Sequence, residues 1–111
     1  MRKGHRRKRR VSHRLPLSTE RRVRALCAGY HRRKYRAEQL GDTSDGEINA
    51  LIDDALEESC EAGLREVILS DIAERRGAKY TRAVFIGESG YKERKASAKR
   101  AIARRFGLRT E

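Results

Sequence analysis

An all-α fold is predicted: a small helical domain that ends in a C-terminal helix-turn-helix and follows a disordered basic N-terminal arm. Three observations predict it. Apolar residues recur at three- and four-residue intervals along most of the chain, with nothing like a strand-rich alternation. Proline occurs once in 111 residues. Aromatic residues make up only 5%, with no Trp, so the core has to be built from Leu, Ile, Val and Ala with a few Tyr and Phe. The length suits one domain, with a core that is feasible but thin.

Residues 1–17 are assigned to the arm and 18–111 to the helical domain, with the helix-turn-helix at about 78–107. The arm, Arg2-Lys3-Gly4-His5-Arg6-Arg7-Lys8-Arg9-Arg10, has nothing to bury, and its like charges repel. Pro16 closes it. A first helix is expected over Thr19–Leu40, with Ser18 as N-cap and Glu20 in its first turn. Val23, Leu26, Cys27, Tyr30, Ala37 and Leu40 form its apolar stripe, and Arg21, Arg32, Lys34 and Arg36 its opposite face. Gly41 stops it. Ser44-Asp45-Gly46-Glu47 reads as a capping box opening a second helix. Ile48, Leu51, Ile52, Ala55, Leu56 and Ser59 make its inner face, and Gly63 ends it. A third helix follows over Leu64–Arg76, with Leu64, Val67, Ile68, Asp71 and Ile72 in periodic positions and Gly77 as its stop. A short helix over Ala78–Phe85, a turn at Ile86-Gly87-Glu88-Ser89 and a long helix over Glu88–Phe106 complete the chain. The inward stripe of the last is Tyr91, Lys95 by its stem, Ala98, Ile102 and Phe106.

Charge is the strongest functional signal. There are 28 Lys and Arg against 16 Asp and Glu, a net charge of +12, with a pI near 10.5. Polyanions are the natural partners, nucleic acid before an anionic membrane. The membrane alternative requires a long apolar run or an aromatic-anchored amphipathic helix, and the sequence has neither. No apolar stretch follows the basic N-terminus, so it does not read as a secretory signal. The charge is segregated. Residues 1–14 carry eight basic residues and no acid, 15–40 seven against two, 41–72 one against ten, and 73–111 twelve against four.

A short helix, a glycine turn and then a basic helix is the layout of a helix-turn-helix. The N-terminal residues of its second helix meet base edges in the major groove. Ile86 and Tyr91 are expected to be buried on the two sides of the turn. Ser89, Lys92, Glu93 and Ala96 then face outward as base-reading residues. Ser reads several bases, Lys suits guanine and Glu accepts from cytosine N4. Arg94, Lys99, Arg100, Arg104 and Arg105 are placed for phosphates, with Arg6, Arg7, Arg9 and Arg10 of the arm.

The C-terminal segment Ile86-Gly87-Glu88-Ser89-Gly90-Tyr91-Lys92-Glu93-Arg94-Lys95, continued by Ala98 and Ile102-Ala103-Arg104-Arg105-Phe106-Gly107-Leu108, resembles the end of RinA/ArpU-type phage transcription regulators. The stretch Ser18-Thr19-Glu20-Arg21-Arg22-Val23-Arg24-Ala25-Leu26, on through Tyr30 and Leu40, is similar to the family's first helix. The resemblance covers about residues 18–109. It implies a helix-turn-helix like the promoter-reading part of sigma factors, control of late phage genes, and host RNA polymerase as a protein partner.

Catalysis finds no support. His5 and His13 lie in the arm and His31 lies among arginines, none at nucleophile or metal spacing. The acids Asp53, Asp54, Glu57, Glu58 and Glu61 read as a solvated face rather than a metal site. No glycine-rich phosphate loop occurs. Cys27 and Cys60 are too few and too far apart for a zinc module and read as buried free thiols, which fits a reducing cytoplasm. The expectation is therefore a cytoplasmic, nucleoid-associated protein of the bacterial host with no enzymatic activity, no cofactor and no metal. Its main partner is double-stranded DNA, and a second copy of the chain is a further candidate. Two other readings compete: a DNA-recognition subunit of a phage packaging machine, and a structural, ribosome-associated RNA-binding protein whose arm folds into RNA. Ten acids between residues 41 and 72 argue against the second. The acids are expected to face away from DNA, toward solvent, the first helix or another protein.

The arm gives the first testable expectation. Deleting residues 2–10 should weaken binding to all DNA sequences alike and flatten the dependence of log affinity on log salt, because counterion release scales with the phosphates neutralised. An unchanged slope would show that the arm does not touch DNA.

Overall fold

A computed structural model describes residues 14–74 and 87–111, the side chain of Glu88 excepted. These residues form five helices: α1 (Leu17–Ala28), α2 (Tyr30–Leu40), α3 (Thr43–Ser59), α4 (Ala62–Glu74) and α5 (Glu88–Arg105). The domain is all-α, with no strand among the described residues. The short helix expected over 78–85, Ile86 and residues 1–13 of the basic arm lie outside them.

The expected single helix over 19–40 is two. Gly29 sits between α1 and α2 with φ −90° and ψ 2°, a turn geometry. Two backbone bonds bracket it: Gly29 N–H donates to the Ala25 carbonyl at 3.2 Å, and Arg33 N–H to the Gly29 carbonyl at 3.0 Å. Arg33 folds back over this joint. Its Nη2 donates to the Leu26 carbonyl and its Nε to Asn49 Oδ1 at 2.9 Å. A Cβ at Gly29 would lie 2.6 Å from Arg33 Nη1, so any side chain there would displace the guanidinium.

Two helix starts also differ from expectation. α1 begins at Leu17 behind Pro16, whose φ of −54° is already set for a helix, and Ser18 is not the cap. Leu15, just before it, packs against the core. α3 begins two residues earlier than the capping box predicts. Asp42 is the N-cap, its carboxylate accepting from Asp45 N–H at 3.1 Å. Gly41, left-handed at φ 71°, places it there. At the other end α3 stops at Ser59, and Gly63 lies in the first turn of α4 rather than ending α3. Gly107, at φ 70°, closes α5 as expected, and Leu108 N–H turns back to the Ala103 carbonyl at 2.8 Å.

The core joins the inner faces of all five helices. Val23, Cys27 and Tyr30 meet Ile52, Ala55 and Leu56, then Leu64, Ile68, Leu69 and Ile72, and finally Tyr91, Ala98, Ala101 and Ile102. Most of the expected stripes are inside, but Leu40 is 68% exposed. It lies ten residues beyond the buried Tyr30 on α2, about 80° around the helix axis at 3.6 residues per turn, off the edge of the buried stripe. Both cysteines are buried and free. Burial pushes the Cys27 thiol up to about 12, so it stays protonated at neutral pH.

Candidate nucleic-acid interface

α5 packs along α3 on one side and touches α1 and α4 on others. Its buried strip holds Tyr91, Ala98 and Ile102, and its opposite strip is open. Ser89, Lys92, Glu93 and Ala96 are all exposed and line one open groove together with Ser97 and Arg100. The four residues expected to read bases therefore share one face over the first two to three turns of the helix. Helical spacing brings this about, since positions three, four and seven apart stack above one another.

Tyr91, expected to be structural, is 1% exposed. Its hydroxyl donates to Asp71 Oδ2 at 2.6 Å, and Lys95 Nζ donates to Asp71 Oδ1 at 3.1 Å. Asp71 is wholly buried. Lys95 thus lies in the inward strip with its ammonium on a buried carboxylate. This network ties the end of α4 to the start of α5 and orients the exposed face. Its trace in the sequence is an acid and a lysine in two apolar stripes.

The cations expected on phosphates are arranged differently from one another. Arg94 grips Glu61 with two parallel bonds, Nε to Oε1 and Nη2 to Oε2, both 2.9 Å. Arg104 Nη2 donates to Glu58 Oε2 at 2.9 Å, and Arg105 Nε donates to Glu58 Oε1 at 3.1 Å. Lys99 Nζ donates to Glu20 Oε2 at 2.8 Å. Arg100 lines the groove beside Lys92. Arg6, Arg7, Arg9 and Arg10 lie outside the described residues. The guanidinium of Arg94, together with a backbone hydrogen bond, holds the Glu61 carboxyl down to about 2. Hydrogen bonds from Arg105, above all, lower that of Glu58.

Three acids of α3 and Glu61 beyond its end bond to two neighbouring helices. Asp45 accepts from Arg36 Nε at 2.6 Å and Asp53 from the Tyr30 hydroxyl at 2.6 Å, both on α2. Glu58, near the C-terminal end of α3, and Glu61, just beyond it, turn instead to α5, a neighbour not foreseen for them. Burial and this bond to Asp53 push the Tyr30 phenol up, so it remains a donor. His31 meets Glu66 at 3.2 Å on the surface.

Among the described residues, no three His, Cys, Asp or Glu side chains converge as metal ligands. None of the described helices is long and apolar enough to cross a membrane. No family model, curated protein or solved structure matches the chain.

Proposed function

We propose that this chain is a sequence-specific duplex-DNA-binding regulator of the RinA/ArpU type that reads bases with the exposed N-terminal half of α5. One observation carries the reading: Ser89, Lys92, Glu93 and Ala96 lie exposed in one groove on a helix whose inner face is locked into the core. A rigid helix with small and polar groups outward can enter a groove about 12 Å wide and bring donors and acceptors to base edges. The net charge of +12 supplies the attraction to phosphate.

The test is selection of bound fragments from random duplex DNA at about 150 mM salt, where weak non-specific binding is suppressed. A defined sequence should emerge. Replacing Lys92 and Glu93 with Ala should change that sequence and cost about 1–3 kcal/mol for each base no longer read. If both changes leave preference and affinity intact, α5 is not the reading helix.

A further inference from the structure

Five of the seven basic residues of α1 and α2 differ in one respect from most of those of α5. Arg21, Arg22, Arg24, Arg32 and Lys34 have no ion pair or side-chain hydrogen bond to the described residues, and all but the half-buried Arg24 are exposed. Five cations of α5 are already held by carboxylates. The two acids of the α1–α2 stretch do not compensate the ridge. Glu20 is committed to Lys99, and the exposed Glu38 makes no ion pair with a described residue of the ridge.

Arg21, Arg24 and Ala28 follow one another on α1 at intervals of three and four residues, and Arg32 and Tyr35 on α2 at three, which puts each set on one line. The turn at Gly29 separates the two lines of the ridge. Tyr35, at 60% exposure, ends the second. Arg21 and Arg24 lie on α1 and Arg32 on α2, on either side of the turn at Gly29. Of the exposed residues between them, Ala25 and Ala28 are small and His31 is turned to Glu66.

We infer that this ridge is a second DNA-contacting surface, which grips duplex phosphates. The inference rests on the proposal that the chain binds duplex DNA. Exposed cations on two successive helices, with the small Ala25 and Ala28 between them, suit the phosphates along a duplex backbone. They are spread over the two helices and do not converge, so they fit an extended polyanion rather than a single phosphate group. Tyr35 adds a hydroxyl donor of the kind that contacts phosphate oxygens. A lipid surface fits poorly, since the apolar side of α1 is turned into the core through Val23 and Cys27. The ridge also lies toward the reading face. Glu20 and Arg24 are four apart on α1, Lys92 and Lys99 seven apart on α5, and the Glu20–Lys99 pair joins those two edges.

The test compares the full chain with an Arg21→Gln, Arg24→Gln, Arg32→Gln variant and with Lys92→Gln. Each is titrated against the selected duplex, a random duplex, duplex RNA and anionic lipid vesicles, across salt. The triple variant should keep the parent's melting temperature. Its slope of log affinity against log salt should be shallower by about 2.7, on both DNAs alike. Lys92→Gln should keep the slope and alter preference. A triple variant with the parent's slope overturns the ridge and leaves the DNA reading standing. A parent without sequence preference whose slope still falls in the triple variant sustains the ridge and removes base reading. Tighter binding to RNA or vesicles than to DNA overturns the ridge as a DNA surface.

Discussion

Asp71→Ala is expected to destabilise the fold by about 3–5 kcal/mol, because it breaks a buried ion pair from one side. Asp71 is 0% exposed and accepts from both the Tyr91 hydroxyl and the Lys95 ammonium. Removing the carboxylate leaves a largely buried ammonium without its counter-charge and a buried hydroxyl without its acceptor, and neither can be rehydrated freely. Tyr91→Ala should cost about 3 kcal/mol through the cavity left by its ring. Tyr91→Phe, which removes only the donor, should cost about 1–2 kcal/mol. Because the three groups share one network, the Asp71→Ala and Tyr91→Ala effects should not add in the double variant. Urea denaturation of the parent and the four variants measures this. An Asp71→Ala protein as stable as the parent would mean that the network does not exist in solution. A Tyr91→Ala protein that unfolds like the parent but no longer prefers any sequence would move Tyr91 from the core to the reading face.

The same residues show how far sequence alone reaches. The inner face of α5 follows from period alone, and so does the outward group of Ser89, Lys92, Glu93 and Ala96. Asp71 and Lys95 stand in apolar stripes, and only their meeting across α4 and α5 explains why a charge occupies each. The start of α3 is ambiguous for a local reason. Asp42 and Ser44 are both good caps, with Asp45 and Glu47 three residues on, and the left-handed turn at Gly41 decides between them. The joint at Gly29 depends on Arg33 reaching Leu26 and Asn49, which is a tertiary contact. Segment charges signal that an acidic stretch adjoins basic ones. They do not tell which cations are neutralised, because that depends on how each helix is rotated about its axis.

That rotation gives the last expected result. Glu58→Gln with Glu61→Gln should tighten binding to every duplex and steepen its salt dependence. In the parent these two carboxylates occupy Arg94, Arg104 and Arg105 of α5. A guanidinium held on a carboxylate has to leave it before it can neutralise a phosphate, so the pairs compete directly with backbone contacts. Their acids have lowered pKa values, so the pairing is fully present above the ordinary carboxyl value of 4.5. For Glu61 it is lost only as pH falls from there through about 2. At neutral pH the competition is therefore constant. Freeing three arginines should steepen the log affinity against log salt slope by up to about 2.7. Phosphate contacts carry no sequence information, so random duplexes should gain as much as the selected one. The stability of the fold should hardly change, since exposed ion pairs contribute little to it. Melting curves and titrations on both duplexes between about 50 and 200 mM salt give all three readouts. If affinity and slope stay at the parent's values on both duplexes, the α3-facing edge of α5 points away from DNA, and the ridge of α1 and α2 is left as the main phosphate contact of the folded domain.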